Sequence, residues 1–193
     1  MAVFLAVWPS GRLTAQLSGR LSVGARYSTP LVRDSLVVPL DLRTAIAPAV
    51  SIGLRDALKG PWSVDGALEV SHAKLHREES GTTTDIGSVS MISVTLGMRR
   101  ALGSAAGARL GVGGLVYSGN SAGVFANGSG GVFPLVSLAG SYAPNLGASR
   151  GLELSLHYDL HRFITPALRS VGFNKGRPVH RIALTVSARV LGK

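Results

Sequence analysis

The sequence predicts an all-β fold, an eight-stranded antiparallel up-and-down transmembrane β-barrel. Three observations lead there. Apolar and polar residues alternate with a period of two in eight stretches of the chain. Charged residues are only 16% of the chain, against about a quarter in ordinary soluble domains. No run reaches the roughly 18 apolar residues of a membrane helix, so helical spans do not explain the low charge. The 25 glycines fit the same picture, because a barrel spreads its apolar residues over alternate positions and needs small ones inside.

The alternation is cleanest from Gly151 to Phe163, GLELSLHYDLHRF. Leu152, Leu154, Leu156, Tyr158 and Leu160 form one row, and Glu153, Ser155, His157, Asp159 and His161 the other. Successive side chains of a strand point to opposite faces, so one face is apolar and the other ionisable. A helical period of 3.6 would smear both rows around the cylinder.

Before the first strand, Met1 to Trp8 resembles the back of a secretory signal peptide, with a turn at Pro9 to Arg12 and a small residue at Ala15. Residues 1–15 are therefore expected to be a signal-peptide remnant or N-terminal tail, and 16–193 the barrel domain. Strand one starts at Leu13 and runs to Ser28, with Leu17, Leu21, Val23 and Tyr27 in its apolar row. A connector holding Pro30 and Pro39 leads to strand two, Thr44 to Arg55, in which Pro48 is a misfit. A residue without an N–H calls for a bulge there, or for pairing that begins only after it.

Strand three carries Trp62, Val64, Leu68 and Val70, and His72 to Thr84 reads as a solvated loop tipped by Glu78-Glu79-Ser80-Gly81. Strand four spans Met91 to Arg99, and strand five Ala108 to Tyr117. After a Gly, Asn and Ser-rich loop, strand six runs from Val132 to Tyr142. Strand seven is the stretch at 151–163, and strand eight runs from Arg181 to Val190. Connectors after odd strands are longer than those after even strands, as in a barrel with two different ends.

Periodicity alone does not separate a soluble barrel from an inside-out membrane one. A soluble barrel would place Lys, Glu and Thr outside and large apolar residues within. Here the polar row is mostly Gly, Ala, Ser and Thr with scattered Arg, Asp and Glu, and the lysines (Lys59, Lys74, Lys175, Lys193) lie at turns, strand ends or loops. A charge facing lipid at mid-depth would cost about 2–4 kcal/mol, and the apolar rows carry none. The membrane reading follows.

The eight rows, with Tyr27, Trp62, Tyr142 and Tyr158 near strand ends, make the chain resemble the small eight-stranded outer-membrane barrels, the OmpA transmembrane domain and OmpX-like proteins. The resemblance covers Leu13 to Leu191. It implies a bacterial outer-membrane location, both termini on the periplasmic side, contact with outer-membrane lipids and lipopolysaccharide, and a monomer. The chain departs from that pattern in its aromatic content of 6% and in ending Val190-Leu191-Gly192-Lys193, where an aromatic residue is usual.

With strand one rising from the periplasm, the charges of the polar row sort by depth. Arg20, Arg55, Asp65, Glu69, Arg99, Arg109, Glu153 and Arg189 fall in the lower half of the lumen, and Arg26, Arg77, Asp159, His161 and Arg181 near the outer mouth. Charges in a narrow, poorly hydrated space must pair. Glu69 and Glu153 are expected to pair with Arg20, Arg109 and Arg189, giving a polar plug rather than an anion path. Eight strands leave room only for side chains.

Ser155, His157 and Asp159 invite a hydrolase reading, and a lipid A deacylase is itself an eight-stranded barrel. Residues two apart on a strand stand about 6.6 Å apart at the backbone, too far for a triad. The deacylase signature His-x-Ser-Asn is also absent from His157-Tyr158-Asp159-Leu160. His72 and His76 flank an acidic loop and read as solvated residues rather than metal ligands. The sequon Asn127-Gly128-Ser129 and the glycines at 111–114 lack the context that would give them a function. No cysteine is present, and the net charge of +10 is dispersed without an aromatic platform, so neither thiolate metal sites nor nucleic acid is expected. The expected function is a structural or surface-interaction role without a catalytic site or cofactor. The alternatives are a lipid-modifying hydrolase and a narrow pore.

Overall fold

The computed structural model describes residues 17–34, 40–119, 123–144 and 151–192. The expected N-terminal segment 1–15 and the first residues of strand one lie outside them. The strands are β1 (Ser18–Ser28), β2 (Val32–Asp34), β3 (Leu40–Thr44), β4 (Ala47–Ala57), β5 (Trp62–Glu79), β6 (Thr82–Leu102), β7 (Ala106–Gly119), β8 (Val132–Tyr142), β9 (Glu153–Phe163) and β10 (Arg177–Leu191). A short helix, α1 (Pro166–Ser170), lies between β9 and β10.

Eight strands close into a ring in the order β1-β4-β5-β6-β7-β8-β9-β10, every neighbour antiparallel, with β10 pairing back onto β1. Closure leaves the ring without an unpaired edge. The outward rows are the apolar ones: Val23 is 54% exposed and Leu96 63%. On β5 the outward row reads Trp62, Val64, Leu68 and Val70 before turning polar at His72 and Lys74. That band is about nine residues long, the length of a strand crossing a bilayer. Trp62 lies across from Arg100 of β6, whose guanidinium stands 5.5 Å from the indole centroid, at the end of the band. The barrel is apolar outside and, along most of its length, polar inside.

Two expectations are corrected, and at Pro48 one of the two expected alternatives holds. The stretch His72 to Thr84 is not a loop, because β5 and β6 continue as a hairpin past the apolar band to a two-residue turn at Ser80-Gly81. Both turn residues have positive φ, 49° and 82°, the geometry whose twist matches that of the strands it joins. Above the band the outward row turns polar at His72 and Lys74 while Ala73 and Leu75 face inward, and that change with the charged tip Glu78-Glu79 made this segment read as a loop. Next, the connector after β1 contains β2 and β3, and β3 pairs with the upper part of β5. Finally, Pro48 sits within β4, opposite Ala25 of β1, while the β4–β5 ladder begins at Ala49. It causes no bulge and pairing toward β5 starts just after it. Pro134 does the same in β8: it faces Gly114, and the β8–β9 ladder begins at Leu135.

Candidate functional site

The lumen has three tiers. At the end bearing the long connectors it is filled by apolar side chains. Val89, Leu115 and Val179 are fully buried, and Tyr117, Met91, Phe133 and Phe163 nearly so. Tyr117 meets Phe163 and Phe133 edge-on, with centroids 5.1 and 5.5 Å apart. The connectors cap this plug with Leu31, Phe125 and Leu168. Thr165 fastens the cap: its hydroxyl donates to the Val124 carbonyl at 2.5 Å and accepts from the Leu168 amide at the start of α1. The sequence reading missed this tier. Its signal was Leu115, Tyr117, Phe133 and Leu135 standing in the inward row at one end of their strands.

Below the plug lies a charge-balanced cluster. Arg26 bridges Glu69 and Asp159 at 2.5 Å each, and Arg181, wholly buried, stands 3.6 Å from Glu69. His161, between this cluster and the plug, bonds to Tyr117, whose hydroxyl lies 2.8 Å from its Nε2. Arg109 forms a second group, donating from Nε to Asp65 at 2.5 Å and from its Nη atoms to Thr95 and Ser137.

The third tier lies toward the short-turn end. Glu153 of β9 receives three guanidinium groups from three strands: Arg99 at 2.7 Å, Arg20 at 3.0 Å and Arg55 at 3.3 Å. A cavity of about 100 Å³ runs from this cluster up to Arg26, Glu69 and Asp159. Inward glycines make room for the arginines. A Cβ on Gly107 would stand 2.6 Å from Nη2 of Arg99, and one on Gly111 2.9 Å from Nη1 of Arg109.

Most of the charges named from sequence thus sit in the lumen, but of the expected pairs only Arg20–Glu153 forms. Glu69 pairs with Arg26 and Arg181, not with Arg20, and Arg109 pairs with Asp65. Arg189 is exposed at the end of β10 and is in no ion pair among the described residues, because a register shift between Gly19 and Arg20 turns that end of the strand. Arg77 is not at the lumen mouth; it is half-exposed on the hairpin beside Glu79 at 2.5 Å. Sequence depth cannot choose among several arginines of one tier.

Ser155, His157 and Asp159 each turn to a different partner: Ser155 to Glu153, His157 to Thr185 at 3.2 Å, and Asp159 to Arg26. His72 bonds to Ser90, and no group of three metal-ligating side chains occurs among the described residues.

Beyond the plug, β2, β3 and the upper halves of β5 and β6 form a projecting sheet. Its charges are paired: Arg33 with Asp41, Arg43 with Asp41 and Glu78, and Lys74 with Asp85. The β9–β10 connector differs, because from Leu160 to Lys193 the chain has no acid. There Arg169 and Lys175 are exposed, as is Arg162 at the end of β9.

No family model and no curated protein sequence matches the chain. Among solved structures it is similar to Ail, the attachment invasion locus protein of Yersinia pestis, in complex with the heparin analogue sucrose octasulfate. The TM-score is 0.53 at 14% identity, over 90% of this chain and 99% of that one. The outer membrane protein OprG from Pseudomonas aeruginosa matches at a TM-score of 0.45 and 8% identity, over 90% and 91% of the two chains. With eight strands in a closed antiparallel ring, apolar outside and charged within, the chain has the fold of the small eight-stranded outer-membrane β-barrels.

Proposed function

We propose that this chain is a closed outer-membrane barrel of a bacterium that acts through what it presents outside the cell, with the long connectors outward and the short turns in the periplasm. The apolar plug carries the reading. A conducting pore needs a hydrated path, and here side chains that are buried or nearly so fill the outer part of the lumen under a cap of connector residues. Beyond that seal stand the projecting sheet and the β9–β10 connector. The separate partners of Ser155, His157 and Asp159 support a role without catalysis.

Two surfaces then divide the outward work. The basic connector with its flanking strand ends, Arg169 and Lys175 with Arg162 of β9 and Arg177 of β10, suits the phosphates of lipopolysaccharide at the membrane surface. The projecting sheet, whose charges neutralise one another, suits a protein rather than a polyanion. Ail's complex with a heparin analogue concerns a sulfated ligand, and on this chain the corresponding chemistry lies at the connector.

Planar-bilayer recording tests the closed lumen. The wild-type barrel is expected to give no steady conductance, and replacing Tyr117 and Phe163 together by Ala to introduce channel events. Steady wild-type conductance would favour the narrow-pore alternative.

A further inference from the structure

The charges of the lumen do not cancel evenly. At mid-depth Arg26 and Arg181 face Glu69 and Asp159, and Arg109 faces Asp65, so both groups are neutral. At the short-turn end Arg20, Arg55 and Arg99 share the single carboxylate of Glu153. The whole cationic surplus of the paired lumen network, formally two charges, is therefore gathered in one place. That place opens into the cavity, which hydroxyls of Ser22, Ser51, Ser141 and Ser187 also line.

A lone carboxylate has two oxygens, and three guanidinium forks offer more donors than it can accept. The Nε atoms of Arg20 and Arg55 are buried with no hydrogen-bond partner among the described residues. Like charges held this close repel unless a second anion joins them. From the surplus, the surrounding hydroxyls and the adjoining volume, we infer that this cluster binds a small oxyanion of the phosphate type, entering from the short-turn end. The plug prevents its passage through the barrel, so the site is a blind receptor and not a step in transport. Its place inside the barrel wall fits a free ion better than a lipid headgroup.

Titration of the purified, folded barrel with inorganic phosphate tests this, with chloride at matched ionic strength as reference. Thermal unfolding and the phosphorus-31 linewidth are the two readouts. Phosphate is expected to raise the wild-type midpoint saturably and to broaden the resonance, with chloride leaving the midpoint unchanged. Arg55→Lys keeps the charge and loses the fork, and is expected to weaken phosphate binding about tenfold. Glu153→Gln removes the competing anion and is expected to strengthen it. Asp65→Asn, in a different group, serves as the control for general charge change. Equal responses to phosphate and chloride would overturn the proposal, as would Arg55→Lys binding phosphate like the wild type. A response only to phosphatidylglycerol in the surrounding membrane would overturn it in favour of a headgroup site.

Discussion

Glu153 is the residue on which the short-turn end of the lumen depends, because one carboxylate holds three arginines drawn from β1, β4 and β6. Its loss leaves like charges buried together, which costs roughly 3–5 kcal/mol where no other anion replaces it. In urea unfolding without phosphate, Glu153→Gln and Glu69→Gln are expected to lose stability on that scale. Leu154→Ala, which removes an outward side chain, is expected to lose less. Wild-type behaviour of both Glu variants would mean a hydrated lumen. Glycines give a second comparison at this scale. The atoms nearest a Cβ on Gly107 belong to the guanidinium of Arg99, a side-chain end rather than backbone, whereas one on Gly113 would stand 2.0 Å from the Val94 carbonyl oxygen. Gly113→Ala therefore forces backbone apart, with overpacking of about 1–3 kcal/mol expected, and Gly107→Ala should unfold closer to wild type in the same assay.

The eight ring strands were legible in the sequence because a period of two survives wherever one face meets lipid. Legibility ended where the outward face lost its apolar row, from His72 to Thr84, and where pairing joined short segments such as β2 and β3 that carry no periodic run. In the lumen the identity of most charged residues was legible from the inward row, but their partners were not. Which of Arg20, Arg55, Arg99 and Arg109 reaches which acid depends on strand tilt and register, and Arg189 leaves the lumen through a one-residue shift. The β2–β3 hairpin makes its own prediction. Both Nε and Nη2 of Arg33 donate to Asp41, at 2.7 and 2.8 Å, and these bonds hold the Asp41 carboxyl below its usual range. A carboxylate depressed by folding adds stability above its unfolded pKa, near 4, and that stability is lost as pH falls through the depressed value. Amide exchange of Val32, Arg33 and Leu42 is expected to quicken as pH falls below about 4, once the intrinsic pH dependence is removed, while β1 and β10 stay protected. Uniform change across the barrel would contradict the local assignment.

At the scale of the whole molecule, one chain combines an apolar exterior, a charged interior and an apolar stopper at one end. A soluble β-barrel inverts the first two of these, so the distribution of exposed Leu, Ile and Val around the ring argues for lipid as the solvent of the outer surface. The same arrangement explains how 16% charged residues suffice: charges are needed only in the lumen, on the projecting sheet and at the connectors. Membrane residence is the central claim, and cell fractionation tests it most directly. The protein is expected to sediment with the outer membrane, to resist extraction by high salt and carbonate, and to dissolve only in detergent. Recovery in the soluble periplasm without detergent would contradict the account.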